Sequence, residues 1–291
     1  MNSKSTGYRI LHFPLTKILI GLIVILGIFS LAQIGLNALL KLGSFSTDYN
    51  NLIISAITAT IAVVTYGVLY SYYEKRKITE LSPTNIGANL LFGTLIGAGL
   101  QSLTIFVIYL FGGFQVVEIN SFLFLVPALT LSVSSAILEE ILFRGVLFRI
   151  IEEKLGSYIA LIISALIFGG LHLLNPNSSI AAALGLAIQA GLLLGVAYMY
   201  TRNLWMPIAL HFSWNFTQGG IFGASVSGND MSKSLITSEI TGAEWFSGGE
   251  FGPEGSVQAT IFGVIATIIL LYLCHRHNKI VAPYWSKMKD A

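Results

Sequence analysis

The sequence predicts an all-α fold, a polytopic transmembrane bundle of about eight spans with a long external loop before the last. Three observations carry this. Of 291 residues, 54% are hydrophobic and only 10% charged, where a soluble domain carries about a quarter. The mean hydropathy is +0.76. Apolar runs approaching the roughly 20 residues needed to cross about 30 Å of hydrocarbon recur along the chain.

The first run, Leu15 to Leu40, follows Lys4, Arg9 and Lys17. It contains SLAQ, which resembles a signal-peptidase site, but it continues beyond that point and is too long for a signal core, so it reads as an uncleaved anchor. Leu52 to Tyr72 and Ile86 to Phe111 are the second and third runs. The fourth lies within Phe122 to Ile151, too long for one untilted span. Its early part, up to about Val126, is expected in the external interface, with the span starting near Pro127. Tyr158 to Leu174 and Leu204 to Gln218, the fifth and seventh, are short; Ile180 to Tyr200 and Val257 to Leu273 are the sixth and eighth. The chain divides accordingly into residues 1–120, with the first three helices, residues 121–220, a core of helices four to seven, and residues 221–291, the loop, the last helix and a basic tail.

Positive residues set the expected orientation. Lys75, Arg76 and Lys77 separate helices two and three, Arg149 and Lys154 follow helix four, Arg202 follows helix six, and Arg276, Lys279, Lys287 and Lys289 follow helix eight. Every second loop is basic, which places both termini in the cytoplasm and suggests a bacterial plasma membrane. The loop before the last helix carries Asp230, Glu239, Glu244, Glu250 and Glu254 against Lys233, and its Gly- and Ser-rich composition, ending FSGGEFGPEGS, reads as ordered turns rather than a domain. The net charge of +2 is too small and too scattered for a nucleic-acid partner. Cys274 has no second cysteine to pair with and reads as a small membrane-facing side chain.

Charges inside apolar sequence need a reason, because each costs roughly 2.5–3.5 kcal/mol at the bilayer centre on insertion scales. In LEEILFRG, Glu140 and Arg144 are four apart and about 40° around a helix, whereas Glu139 points about 100° from Glu140. Glu140 is therefore expected to pair with Arg144 while Glu139 stays free of its own helix's cation. Arg149, Glu152, Glu153 and Lys154, past the apolar stretch, are expected in water. His172 follows Phe168 by four in IFGGLHLL, and His211 and Asn215 share one helix face in MPIALHFSWNFTQ. Each of these groups alone also suits ordinary packing or interhelical hydrogen bonding. Together, on three helices, they form an inventory for activating water and stabilising an oxyanion.

EEILFR, FGGLH and HFSWN match, in order, the E-E-x-x-x-R, F-x-x-x-H and H-x-x-x-N motifs, and the chain thereby resembles the CPBP intramembrane proteases. That group includes type II CAAX prenyl endopeptidases and bacteriocin-processing or self-immunity proteins. The resemblance spans Glu139 to Asn215 and implies a membrane peptidase acting on a membrane-associated peptide or protein. It implies Glu139 as catalytic base, binding water with His172, with His211 and Asn215 as the oxyanion-stabilising pair and Glu140, Arg144 and Phe168 as structural support. No cofactor is expected. A zinc peptidase with Glu139, His172 and His211 as ligands is the nearest alternative, although H-E-x-x-H is absent. A proton-coupled transporter and a non-catalytic immunity or scaffold protein are the alternatives from other classes.

Overall fold

The computed structural model of the protein describes residues 6–40 and 46–287; Lys4 and Lys289 lie outside them. The chain is helical almost throughout. Its helices are α1 (Thr6–Leu11), α2 (Pro14–Leu40), α3 (Thr47–Glu74), α4 (Ile86–Leu110), α5 (Val126–Glu140), α6 (Arg149–Leu171), α7 (Ile180–Leu186), α8 (Leu192–Thr201), α9 (Trp205–Asn215), α10 (Glu244–Ser247), α11 (Val257–Arg276) and α12 (Tyr284–Lys287). Three wider π-helical segments interrupt the ladder: Ile141–Phe148 between α5 and α6, Ala187–Gly191 between α7 and α8, and Phe216–Ile221 after α9.

Among the described residues, six helical stretches rather than eight are long and apolar enough to span a membrane. One cause is that Phe122–Leu174, a single stretch by this measure, holds both the fourth and the fifth expected runs. Gly156 breaks it with φ 79° and ψ 169°, a backbone region that essentially only glycine enters. The chain reverses there. Along a continuous helix Arg144 and Phe168 would stand about 36 Å apart, yet the guanidinium carbon lies 4.9 Å from the Phe168 ring centre. The other cause is α9, whose helical run even with its π extension falls short of the six long ones.

Apolar side chains cover the outside of the bundle, with Ile23, Leu31, Leu95 and Ile268 each about half exposed or more. Helices apolar all round have no single buried stripe, and between such helices in lipid, close packing replaces the hydrophobic effect as the adhesive. Gly93 and Gly97, one turn apart, supply it where α4 meets α9: a Cβ on either would collide with α9 backbone at Met206 or Leu210. Ile180–Thr201 is the central element, with 61% of its apolar window buried against 22% for Pro14–Leu40.

The basic loops gather at one end. Glu74 accepts from Lys17 at 2.9 Å, Arg76 at 2.7 Å and Arg149 at 2.9 Å, and Arg202 joins Glu152 to the Lys279 carbonyl. Two expectations are corrected here. Arg149 and Glu152 are buried rather than solvated, because partners from other helices reach them, while Glu153 and Lys154 are exposed. Cys274 is fully buried against the Val196 carbonyl rather than facing lipid. At the opposite end the long loop is ordered, and it adds a small sheet the sequence reading lacked: β1 (Phe114–Ile119) pairs antiparallel with β2 (Ile236–Ile240), Phe114 facing Ile240 and Ile119 facing Ile236.

Candidate active site

The entry to α5 sets the depth of the site. Phe122–Leu125 forms one 3₁₀ turn capped by the Ser121 side chain, and α5 begins at Val126 with Pro127 in its first turn, where a missing N–H is tolerated. Glu139 therefore sits about 20 Å along the helix axis, well inside the bundle. The hairpin at Gly156 brings α6 back to the same depth, and α9 passes beside both. The Phe168 and His211 rings lie 6.1 Å apart.

Glu140 and Arg144 are both completely buried and pair at 2.8 Å. Arg144 also donates to the Gly191 carbonyl at 3.1 Å. That carbonyl ends the second π segment, where the widened ladder leaves backbone acceptors in need of a side-chain donor. The guanidinium lies over the Phe168 ring, a cation–π contact of the kind that strengthens in a desolvated site. Phe168 thus has three tasks: its ring carries Arg144, its carbonyl accepts from His172 Nδ1 at 2.7 Å, and its edge packs on Phe143 with centroids 5.0 Å apart. The bond to Nδ1 leaves His172 Nε2 as the free ring nitrogen.

His211 is buried between the two glutamates. Its Nδ1 donates to Glu140 Oε1 at 2.9 Å, and its Nε2 lies 4.0 Å from Glu139 Oε2. That separation is too long for a direct hydrogen bond. Glu139 is 28% exposed, although its Oε2 is buried and makes no hydrogen bond. Asn215 Nδ2 donates to Ser135 Oγ at 3.3 Å, and Ser135 is one turn before Glu139 on α5. Asn215, His211 and Glu139 are therefore neighbours along the α5–α9 contact.

A cavity of about 20 Å³ opens beside these groups, lined by His172, His211, Asn215, Trp214, Ser227 and Glu254 among others; that is room for about one water molecule. The structure thus brings His172, His211 and Asn215 to one cavity and sets Glu139 against His211. Glu139 and His172 make no hydrogen bond or ion pair with each other, so the expected pairing of these two is mediated at most through the space between them. No three His, Cys, Asp or Glu side chains among the described residues converge tightly enough to hold a metal ion; the alternative ligand set Glu139, His172 and His211 does not close into one.

Glu254 is the residue the sequence reading missed. It is 1% exposed, and burial pushes its carboxyl above the usual range against the opposing pull of Ser227, His172 and Trp214. Among five acids in one loop nothing marked it out, except its place in the Gly-Pro-Glu-Gly turn directly before Ser256, whose side chain caps α11.

Residues 120–217 match the family described as Type II CAAX prenyl endopeptidase Rce1-like, the class of membrane peptidase that the three motifs resembled. A curated relative from Bacillus subtilis (strain 168), named "Putative membrane peptidase YdiL", is 32% identical over 84 residues, 29% of this chain and 32% of that protein. The match thus spans about a third of the relative's length. No solved structure matches the chain. At the family level the similarity is to membrane proteases, and the protein is an integral membrane protein.

Proposed function

We propose that the protein is an intramembrane endopeptidase that hydrolyses a peptide bond of a membrane-associated peptide or protein. The observation that supports this most is the burial of His211 between Glu139 and Glu140, on the wall of a one-water cavity shared with His172 and Asn215. A water bridging the 4.0 Å between Glu139 Oε2 and His211 Nε2 would be within reach of both groups. Glu139 takes the proton as this water attacks the scissile carbonyl, and His172, through Nε2, orients the water from the far side of the cavity. As charge grows on the carbonyl oxygen, Asn215 Nδ2 and the Nε2–H of doubly protonated His211 donate to it, in a site that excludes bulk water and so strengthens each bond. Glu140 fixes the ring of His211 through Nδ1, and Arg144 neutralises Glu140.

No cofactor is required by this scheme. The basic end of the bundle faces the cytoplasm, and the substrate is taken from the bilayer; a prenylated C-terminus is one form it can take. The test compares the amino and carboxyl termini of membrane proteins in cells carrying the wild type and Glu139→Gln. Termini that vanish with Glu139→Gln and with His172→Ala, while both variants accumulate as folded protein, are expected. Wild-type cleavage by either variant overturns the assignment of that residue, and the absence of any Glu139-dependent terminus overturns the peptidase reading.

A further inference from the structure

Glu254 is a buried carboxylate with no lysine or arginine beside it, on the wall of the candidate active site. Its Oε2 accepts from Trp214 Nε1 at 3.1 Å. Its Oε1 accepts from the Ser227 hydroxyl at 2.8 Å and from the Ser227 backbone N–H, and its own carbonyl accepts from Gln189. One residue therefore joins the external loop at Ser227, the helix α9 at Trp214 and the π segment at Gln189. All three surround the cavity. Trp214 is the residue between His211 and Asn215 in the HFSWN stretch, so fixing its indole fixes the turn of α9 that presents both. The π segment that holds Gln189 also supplies the carbonyl of Gly191 to Arg144, so the contacts of Glu254 run on through Arg144 and Glu140 to His211.

Burying an ionisable group without a countercharge costs several kcal/mol unless hydrogen bonds replace its hydration. Here three donors do so, and both oxygens are engaged, which leaves the carboxyl no free lone-pair direction of comparable quality for general-base work. We propose that Glu254 is a positioning residue of the active site, locking the external loop onto α9 through Trp214 so that His211 and Asn215 face the cavity together with His172. This rests on the peptidase reading above.

The test uses the full-length protein in liposomes and an internally quenched peptide spanning a cleavage site found through the Glu139-dependent termini. In Glu254→Gln the amide oxygen can still accept from Ser227, but the amide N–H₂ then meets the Trp214 N–H, donor against donor. This should lower kcat about 10- to 100-fold, the scale of a small misplacement of catalytic groups, with KM little changed. Trp214→Phe removes the opposing N–H, so the Glu254→Gln/Trp214→Phe double variant is expected to be faster than Glu254→Gln alone. A merely structural defect would make the two changes additive. Ser227→Ala, which keeps the carboxylate and removes one donor, should lower kcat in the same direction by less, and decides the matter if Glu254→Gln fails to accumulate. Unchanged kcat in Glu254→Gln or Ser227→Ala, or additive losses in the double variant, overturn the proposal alone. Absence of any Glu139-dependent terminus overturns the peptidase reading and this proposal with it.

Discussion

Replacing Arg144 by alanine probes the centre of the site. In the native structure the guanidinium is completely buried, bonded to Glu140 at 2.8 Å and to the Gly191 carbonyl at 3.1 Å. Removal strands the Glu140 carboxylate, which keeps only the bond from His211 Nδ1 at 2.9 Å, and leaves the Gly191 carbonyl without its side-chain donor. Breaking a buried pair by deleting one partner costs about 3–5 kcal/mol. At roughly 2–4 °C per kcal/mol for a chain of this order of size, the thermal midpoint in detergent should fall by about 6–20 °C. The same reasoning makes a second, sharper demand. Glu140→Gln with Arg144→Met removes both charges while the glutamine oxygen still accepts from His211, so the double variant should recover most of that loss, because neutral isosteres of a buried pair are often tolerated. The assay is fluorescence-detected size exclusion of detergent-solubilised protein across a temperature series. Arg144→Ala with a wild-type midpoint would refute the claim that the pair is buried and coupled. A double variant no more stable than Arg144→Ala would refute the claim that the stranded charge is the cause.

Three further outcomes follow from the geometry. Asn215→Ala, if Asn215 is an oxyanion donor, should lower the rate of cleavage about 10²–10³-fold with a thermal midpoint close to wild type, measured on the same peptide; a loss under about threefold would exclude the role. Gly156→Ala must force a side chain into a glycine-only backbone region, where a Cβ would also approach the Pro283 nitrogen and the Val281 carbonyl; a loss of about 1–3 kcal/mol is expected in the same thermal assay. Glu80, in the loop between α3 and α4, has its carboxyl raised by burial, but hydrogen bonds from Arg76 and Tyr66 outweigh this and hold it below the usual carboxylate range. A lowered carboxyl contributes stability that is fully present above its unfolded value, about 4.3, and is lost as pH falls through the lower folded value. The acid-side fall in midpoint should be shallower in Glu80→Gln than in wild type, and identical acid profiles would show that Glu80 is not the group responsible.

Much of the architecture was fixed by local composition. Apolar runs must satisfy their backbone internally in lipid, so the helices at Pro14–Leu40, Thr47–Glu74, Ile86–Leu110 and Val257–Arg276 could be read from the residues alone, as could the start of the fourth span next to Pro127. The i,i+4 pairing of Glu140 with Arg144 was likewise a matter of helix periodicity. Other features depend on partners distant in sequence. Nothing near Arg149 or Glu152 announces Glu74 or Arg202, so two charges that look solvated in sequence are buried in the fold. The β1–β2 pairing has the same origin, since strands of five or six residues separated by more than a hundred positions leave no periodic trace of each other.

The site divides along the same line. Residue type and helical spacing determined which side chains of three helices could do chemistry, because those properties belong to single turns of helix. Which of them meet was decided by the chain reversal at Gly156 and by the approach of α4 and α9 over Gly93 and Gly97. That packing put His211, not His172, against the two glutamates, and drew Glu254 in from a loop whose sequence resembles any polar turn. Periodicity can say which way a side chain leaves its own helix axis. What stands opposite it is settled only when helices pack, since in a membrane that packing comes from shape and a few buried polar contacts rather than from any pattern along one strand of sequence.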